Sequence, residues 1–507
     1  MNASDDRRFA SRQPASEMRT TTAIGLIGGS SYIALIVSMV RSVLVMRMIG
    51  PRGRGIQRLT GLYKGYLTNV SVPWRHGVSK ELPLAIGARD ARRAAEVEDA
   101  GYVATALFTA VAGAGMVAYA MFVAGGSWET RVAIAIGGGL LLADDLIALY
   151  WSVLRSWGRF RPLAVGELLR ALSQFGLMVV GAWALGVTGV MLGWLVAALI
   201  VLAYLEMISR IRVGRRVIRA HIWRLLIIGL PVALVSISDV LLRMIDGTVL
   251  VHFYGEEQLG LYSLAMQMAN YLFALPRAAG FVIWPKVLQS YGAEDGREHR
   301  LRRVMLPTIG LAGIMPVIAG LAWLALPSLV GLLVPQFLPA VPAARILSIG
   351  AVFLALPLST DAALVANDRE AAVIVTRLAG AAVAGGGTWY LVARGGSLQS
   401  VAVMACSGFA VAALLSLWIK LGEFCSGGSR RWGEVILAIV PTAWVLGVIA
   451  LIGHVMTVSG LSIETIGGAL AALVAFVFLS SPCLFYAARR TELGTELSRW
   501  LNDRMGK

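Results

Sequence analysis

The chain has 507 residues, of which 57% are hydrophobic and only 15% charged, and its formal net charge is +16. A mean hydropathy of +0.73 and many apolar runs of about 20 residues exclude a soluble globular protein and indicate a polytopic α-helical membrane protein. The runs are continuous, which excludes a membrane β-barrel, and the basic residues lie in short loops between them, which argues against nucleic-acid binding. Cysteines and histidines are scattered, so we expect no cofactor and no metal site.

We predict about 14 membrane-spanning helices, arranged as two six-helix lobes around a central cavity with two additional C-terminal helices. Counting Lys and Arg gives about thirty in one set of tails and loops and about six in the other, which places both termini in the cytosol. The predicted segments are an N-terminal tail over 1–21, a first lobe over 22–208, a basic linker over 209–221, a second lobe over 222–421, two further spans over 434–487 and a basic tail over 488–507. We expect the linker to lie on the anionic membrane leaflet as an amphipathic helix.

Two apolar helices between residues 222 and 291 carry polar side chains that recur at helical spacing. They are Ser236, Asp239, Arg243 and Asp246 on the first helix and Gln267, Asn270 and Arg277 on the second. A charge at the bilayer midplane costs roughly 2.5–3.5 kcal/mol, so these stripes must face protein or water. We interpret them as the lining of a polar cavity in a membrane transporter. The alternative is an internal salt-bridge ladder that only ties the helices together.

The N-terminal helices carry a similar polar pattern. The second span, over about residues 56–77, has Gln57, Lys64, Thr68, Ser71 and Arg75 on one stripe, which we expect to face inward. The first span contributes Arg41. In the fourth span Asp144 and Asp145 are adjacent and therefore point about 100° apart on a helix, so they cannot both face one lumen equally. Glu167 and Arg170 are spaced to pair with each other.

The two halves of the chain share a weak internal repeat. Shifting the sequence by 205 residues aligns Gly50 with Gly255 and Gly55 with Gly260, and it places Arg41 opposite Asp246. Many secondary transporters are built from such repeats, with the substrate site between the halves. The alternative is that two apolar helical hairpins look alike by composition.

Four segments resemble the Wzx-type polysaccharide-flippase branch of the multidrug/oligosaccharidyl-lipid/polysaccharide exporter superfamily. They are IGPRGRG at 49–55, SVLRSWGRFRPLAVGELLRAL at 152–172, the stretch from ISDVLLRMIDGTVL to GFVIWP at 237–285, and PQFLPAVPAARILSIGAVFLAL at 335–356. The resemblance covers most of residues 22–420. It implies 12 or 14 helices in two six-helix lobes around a central cavity. It also implies transport, without catalysis, of undecaprenyl-diphosphate-linked glycans across the bacterial inner membrane by alternating access.

The resemblance implies roles for the intramembrane charges. The candidates for binding the diphosphate are Arg41, Lys64, Arg75, Arg243 and Arg277, and those for binding a coupling proton or sodium ion are Asp239, Asp246 and Asp361. Alternatively, these acids only neutralise the cations. The partners implied are the lipid-linked oligosaccharide, membrane lipids and other polysaccharide-assembly proteins.

Three alternative functions stay open at this point. A lipid II flippase of the MurJ type would have a similar, partly basic cavity. A drug/cation antiporter of the same superfamily would need an acidic cavity, whereas this one is predicted to be basic. A membrane glycan polymerase would place its catalytic groups on large exterior loops, and the exterior loops predicted here are short.

Overall fold

The computed structural model describes residues 20–209, 219–292, 297–424, 428–459 and 466–491, and the regular structure in these ranges is helical throughout. In chain order the α-helices are α1 (Thr20–Leu67), α2 (Val72–Gly87), α3 (Ala91–Phe122), α4 (Trp128–Ser156), α5 (Phe160–Ser209), α6 (Arg219–Gly292), α7 (Arg297–Leu333), α8 (Val341–Ala355), α9 (Leu358–Ala366), α10 (Glu370–Val392), α11 (Leu398–Phe424), α12 (Gly428–Ser459) and α13 (Ile466–Thr491). Short 3₁₀ turns at Thr68–Val70 and Pro335–Ala340 precede α2 and α8.

Within the described ranges, 11 segments are long and apolar enough to cross a membrane. This confirms the predicted class, an all-α polytopic membrane protein, whereas the count of about 14 spans stays a prediction. Of the predicted polar segments, residues 1–19 of the N-terminal tail, 210–218 of the linker and 492–507 of the C-terminal tail lie outside the described residues.

Three of the long helices fold back on themselves at a glycine with positive φ. The breaks lie at Gly50 in α1 (φ 68°), Gly186 in α5 (φ 58°) and Gly255 in α6 (φ 75°). In α6 the hydroxyl of Tyr262 donates to the Asp246 carboxylate over 2.6 Å, across the break. In α5 a Cβ at Gly181 would lie 2.1 Å from the carbonyl oxygen of Gly189, so the two arms of this hairpin touch through their backbones. Each of these helices is therefore a hairpin of two apolar arms.

The breaks in α1 and α6 have the same backbone geometry. Gly50 has φ 68° and ψ −177°, and Gly255 has φ 75° and ψ −168°. This region of φ/ψ space is accessible essentially to glycine alone. The repeat in the sequence pairs these same two glycines, so the shared geometry supports a duplicated helical hairpin rather than a likeness of composition.

The chain divides into two compact units, Met1–Val240 and Leu241–Lys507. The core of the first unit packs α1, α4 and α5 around Ile56, Leu140, Ile147, Met191 and Val201. A core in the second unit packs α7, α12 and α13 around Leu324, Val448 and Phe476. The predicted lobe boundaries and the cavity between the lobes stay predictions.

Inside the first unit, α2 lies in close contact with the start of α6. A Cβ at Gly229 would lie 1.8 Å from the carbonyl oxygen of Pro73, and one at Gly77 would lie 2.4 Å from that of Leu225. The imidazole of His76 is 3.2 Å from the hydroxyl of Ser236 at the same interface. His76 lies outside the segments that are long and apolar enough to cross a membrane. Burial, and then the neighbouring Arg75 guanidinium, lower its pKa to about 4.

We expect Gly255→Ala to destabilise the protein through the backbone alone, because an added Cβ meets no atom within 4 Å. A non-glycine residue in this conformation costs about 1–3 kcal/mol. Thermal unfolding of the purified protein in detergent should show a lower Tm for Gly255→Ala. Gly453→Ala, in α12, also meets no atom within 4 Å but has helical φ/ψ, and it should leave Tm unchanged or slightly raised. Equal Tm values for the two variants would contradict a strained glycine at the hairpin.

We expect acid to weaken the α2–α6 contact through His76. Its folded-state pKa of about 4 lies below the unfolded value, so the unfolded chain binds the extra proton first and stability falls as the pH drops from about 6.5 toward 4. At pH 5 the loss is about 2 kcal/mol. His76→Gln keeps a polar group beside Ser236 and should lose less Tm than wild type between pH 7 and pH 5. The same Tm loss in both proteins would show that other groups set this dependence.

Candidate functional site

The first unit encloses a cavity of about 520 Å³, a volume typical of ligand-binding sites. It is bounded by both arms of the α1 hairpin and by α4 and α5. Its polar and aromatic lining consists of Ser31, Ser38, Arg41, Arg54, Gln57, Arg58, Trp151, Glu167, Arg170, Gln174 and Trp194. Four arginines and one glutamate give this lining a formal charge of +3.

The arginines approach the cavity from facing helices. Arg41 of the first α1 arm donates to the side-chain carbonyl of Gln174 on α5. Arg54, on the returning arm, donates to the side chain of Gln57 over 2.5 Å. A guanidinium stays protonated in proteins, so both side chains bring a positive charge to the lining of the cavity.

The two adjacent aspartates of α4 hold separate groups of partners. Asp144 accepts from Lys64 and, over 2.9 Å, from Arg170. The inward stripe predicted for the second span is therefore in contact with α4. The expected pairing of Glu167 with Arg170 is wrong, because Arg170 forms its ion pair with Asp144.

Asp145 is 2% exposed and contacts the last three residues of the stripe, Thr68, Ser71 and Arg75. It accepts from Thr68 and, over 2.7 Å, from Ser71, and its carboxylate is 3.7 Å from the Arg75 guanidinium. The predicted divergence of two adjacent acids explains the arrangement: a rotation of about 100° points one carboxylate at Lys64 and the other at Arg75.

The Asp144 cluster also forms part of the cavity wall. The Lys64 ammonium lies 4.3 Å from the centre of the Trp194 ring, and the Arg170 guanidinium lies 5.4 Å from that of Trp151. Both tryptophans line the cavity. A single carboxylate therefore fixes two cations, each lying over an aromatic ring of the site.

The other predicted residues have separate surroundings. Asp239 lies half-buried on α6 within the first unit. In the second unit Arg243 and Arg277 both approach the Phe273 ring, at 4.4 and 5.5 Å from its centre. Asp246 accepts from a tyrosine, as described above. The structure thus brings Arg41, Lys64 and Arg75 to the region of the cavity and its α4 wall, and it groups Arg243 with Arg277.

Asp361 is buried in the second unit with both carboxylate oxygens engaged. One accepts from Arg377 over 2.7 Å and the other from Ser416 over 2.6 Å. A coupling ion at this carboxylate would have to compete with a guanidinium already in place. The ion-coupling roles of Asp239, Asp246 and Asp361 stay predictions.

Four charged lining residues were absent from the predicted site: Arg54, Arg58, Glu167 and Arg170. The sequence interpretation paired the last two with each other and assigned no role to the first two. A signal was present, because Arg54, Arg58 and Gly61 follow one another at intervals of four and three, which places them on one helical face.

We expect Asp144→Asn to destabilise the first unit by about 3 kcal/mol, because Lys64 and Arg170 both lose their acidic partner in a partly buried site. Thermal unfolding in detergent would measure it. The double variant Lys64→Met with Asp144→Asn should recover part of the loss. The matched control is Glu96→Gln, which removes an ion pair with Arg92, a side chain that is 80% exposed. A surface ion pair contributes less than about 1 kcal/mol, so this variant should unfold close to the wild-type temperature. If Asp144→Asn unfolds at the wild-type temperature, the cluster does not stabilise the wall.

Residues 141–342 match the model of a family described as polysaccharide biosynthesis protein. No curated protein sequence matches the chain. The family match confirms the predicted resemblance to polysaccharide-biosynthesis proteins.

Solved structures of membrane transporters share the fold. A structure of the lipid II flippase MurJ in an inward closed conformation matches with TM-score 0.68 and 12% identity, covering 91% of this chain and 98% of that one. A MATE protein in complex with MaL6 matches with TM-score 0.61 and 14% identity over 85% of this chain and 100% of its own. An outward-facing multidrug resistance MATE family transporter of the MOP superfamily gives TM-score 0.60 and 14% identity over the same shares. Identities this low show a common fold and nothing more specific.

Proposed function

We propose that this protein is a flippase that carries an undecaprenyl-diphosphate-linked oligosaccharide across the bacterial inner membrane for export of a surface polysaccharide. The observation that carries the proposal is the cavity of about 520 Å³ with four arginines and one glutamate in its lining. We place both termini in the cytosol and expect the protein to work by alternating access, beside other polysaccharide-assembly proteins and without a catalytic step of its own.

The chemistry of the cavity suits the linkage between the lipid and the glycan. Guanidinium groups stay protonated and bind phosphate oxygens through pairs of parallel hydrogen bonds. Such charge-assisted bonds are stronger in a site of low dielectric than in water. A flippase has to shelter the diphosphate and the sugars while the apolar tail stays in the bilayer. Arg41, Arg54, Arg58 and Arg170 are the residues we assign to the anion.

A lipid II flippase is the second candidate, and the extent of the structural match to MurJ favours it. Lipid II also joins a diphosphate to sugars on a polyprenyl tail, so the arginines suit both substrates. A drug/cation antiporter fits less well, because a lining with a formal charge of +3 repels cationic drugs.

We expect Arg58→Gln and Arg54→Gln each to slow transport of a fluorescent undecaprenyl-diphospho-oligosaccharide in proteoliposomes by about 10- to 100-fold, the worth of a hydrogen bond to a charged group. Surface polysaccharide should fall in parallel in cells that carry the variant as their only copy. The matched control, Arg92→Gln, removes an exposed arginine outside the cavity and should transport at the wild-type rate.

The same proteoliposomes, loaded with lipid II, separate the two candidates. Faster transport of lipid II than of the oligosaccharide would favour the second candidate. Wild-type rates in both cavity variants would contradict the anion site itself.

A further inference from the structure

Glu167 is the one acidic side chain in the lining of the arginine cavity, within the part of the chain that the structure describes. Its carboxylate accepts from the hydroxyl of Ser30 over 3.3 Å and from that of Ser31 over 2.9 and 3.0 Å. Among the described residues no lysine or arginine lies within ion-pair distance of it. The acid is thus held by hydroxyl donors of the neighbouring helix, although arginines line the same space.

A carboxylate in this position opposes the binding of an anion. Like charges repel one another, and the repulsion is stronger in a partly buried site than in water. A cavity that bound phosphate alone would be better served by a neutral residue here. The acid is therefore suited to a different part of the ligand, one that presents hydrogen-bond donors.

Sugar hydroxyls are such donors, and the surroundings of Glu167 suit a sugar ring. An ionised carboxylate only accepts hydrogen bonds, and its two oxygens offer about four acceptor positions. Trp151 lines the same cavity, and its indole nitrogen lies 3.8 Å from the position that a Cβ added to Gly166, the residue before Glu167, would take. The hydroxyls of Ser30 and Ser31 already make the type of contact that a sugar would make.

The order of residues along α5 separates the two kinds of contact. Glu167, Arg170 and Gln174 share one helical face and extend over about 10 Å at 1.5 Å per residue. The acid lies at one end, and Gln174, which orients Arg41, lies at the other. A diphosphate held between Arg170 and Arg41 would leave the Glu167 end of this face to an attached sugar.

We propose that Glu167, together with Ser31 and Trp151, forms a subsite for the hydroxyl groups of the sugar next to the diphosphate. This inference rests on the proposed function and assigns the sugar to a place in the same cavity. Glu167 then selects for a glycosylated lipid against the bare lipid diphosphate, because it attracts the hydroxyls of the first and repels the charge of the second.

The test is the affinity of the full-length protein in detergent for three probes: undecaprenyl diphosphate, and the same lipid carrying one glucose or one N-acetylglucosamine. Glu167→Gln removes the charge and keeps the shape of the side chain. We expect at least one glycosylated probe to bind about tenfold more weakly and the bare diphosphate to bind about threefold more tightly. A merely structural role would move all three affinities in the same direction.

Two further variants complete the design. Ser31→Ala keeps the charge but removes a hydroxyl that orients it. It should weaken binding of the glycosylated probe more than binding of the bare diphosphate, and this comparison keeps the test valid if Glu167→Gln unfolds. The matched control is Glu206→Gln. Glu206 also accepts hydrogen bonds from hydroxyl groups, those of Tyr102 and Tyr150, over 3.2 and 3.1 Å. It does not line the cavity, so the Glu206→Gln variant should bind all three probes with wild-type affinity.

The outcomes separate this inference from the proposed function. If the wild-type protein binds none of the three probes, the proposed function fails. If it binds them and Glu167→Gln weakens all three alike, or changes none, the sugar subsite is wrong while the function stands. A change confined to the pH dependence of binding, in the same proportion for every probe, would make Glu167 a proton carrier and would also overturn the sugar subsite.

Discussion

Charge in a low-dielectric environment is the constraint on which the rest of this structure depends. A charged side chain within the bilayer is stable only if it meets an opposite charge, hydrogen-bonding groups or water. Asp144 and Asp145 supply the negative charge that three cations of the first unit need: Lys64, Arg75 and Arg170. Because they are adjacent on one helix, they face different neighbours, and one pairs with Lys64 and Arg170 while the other faces Arg75. The same contacts hold the returning arm of the α1 hairpin, the start of α2 and the first part of α5 against α4.

Much of this could be predicted from the sequence, because membrane helices follow simple rules. The apolar runs predicted the helical membrane class, and the internal repeat aligned Gly50 with Gly255, the glycines at which α1 and α6 break. The polar stripe of the second span contains the residues that contact the acids of α4. The choice of partners could not be predicted. Arg170 lies three residues from Glu167 and was expected to pair with it, yet it reaches Asp144, which is 26 residues away in sequence. Spacing along one helix shows which residues could meet, whereas the packing of neighbouring helices decides which pairs form.

The two units share a backbone pattern but differ in chemistry. Gly50 and Gly255 have the same unusual geometry, yet the repeat sets Arg41 on one hairpin against Asp246 on the other. Each unit also joins an aspartate to an arginine of the following helix, Asp144 to Arg170 and Asp361 to Arg377. In the first pair, Arg170 also lines the cavity. In the second pair, Asp361 is buried and its two oxygens accept from Arg377 and Ser416. The same hairpin geometry therefore carries different charged residues in the two units.

A carrier must release what it binds, and this sets a limit on how cationic its site can be. Binding has to be favourable enough to capture the ligand and weak enough to let it leave, as in any transport pathway. Four guanidinium groups around a diphosphate would hold it strongly wherever water is excluded. Glu167 lowers that attraction in the lining of the same cavity, and hydroxyl contacts with a sugar would restore specificity through weaker bonds that exchange readily with water. In this view the single acid lets one site both discriminate and release. This is the reason we expect a transporter of lipid-linked sugars to keep a carboxylate where a simple anion trap would have none.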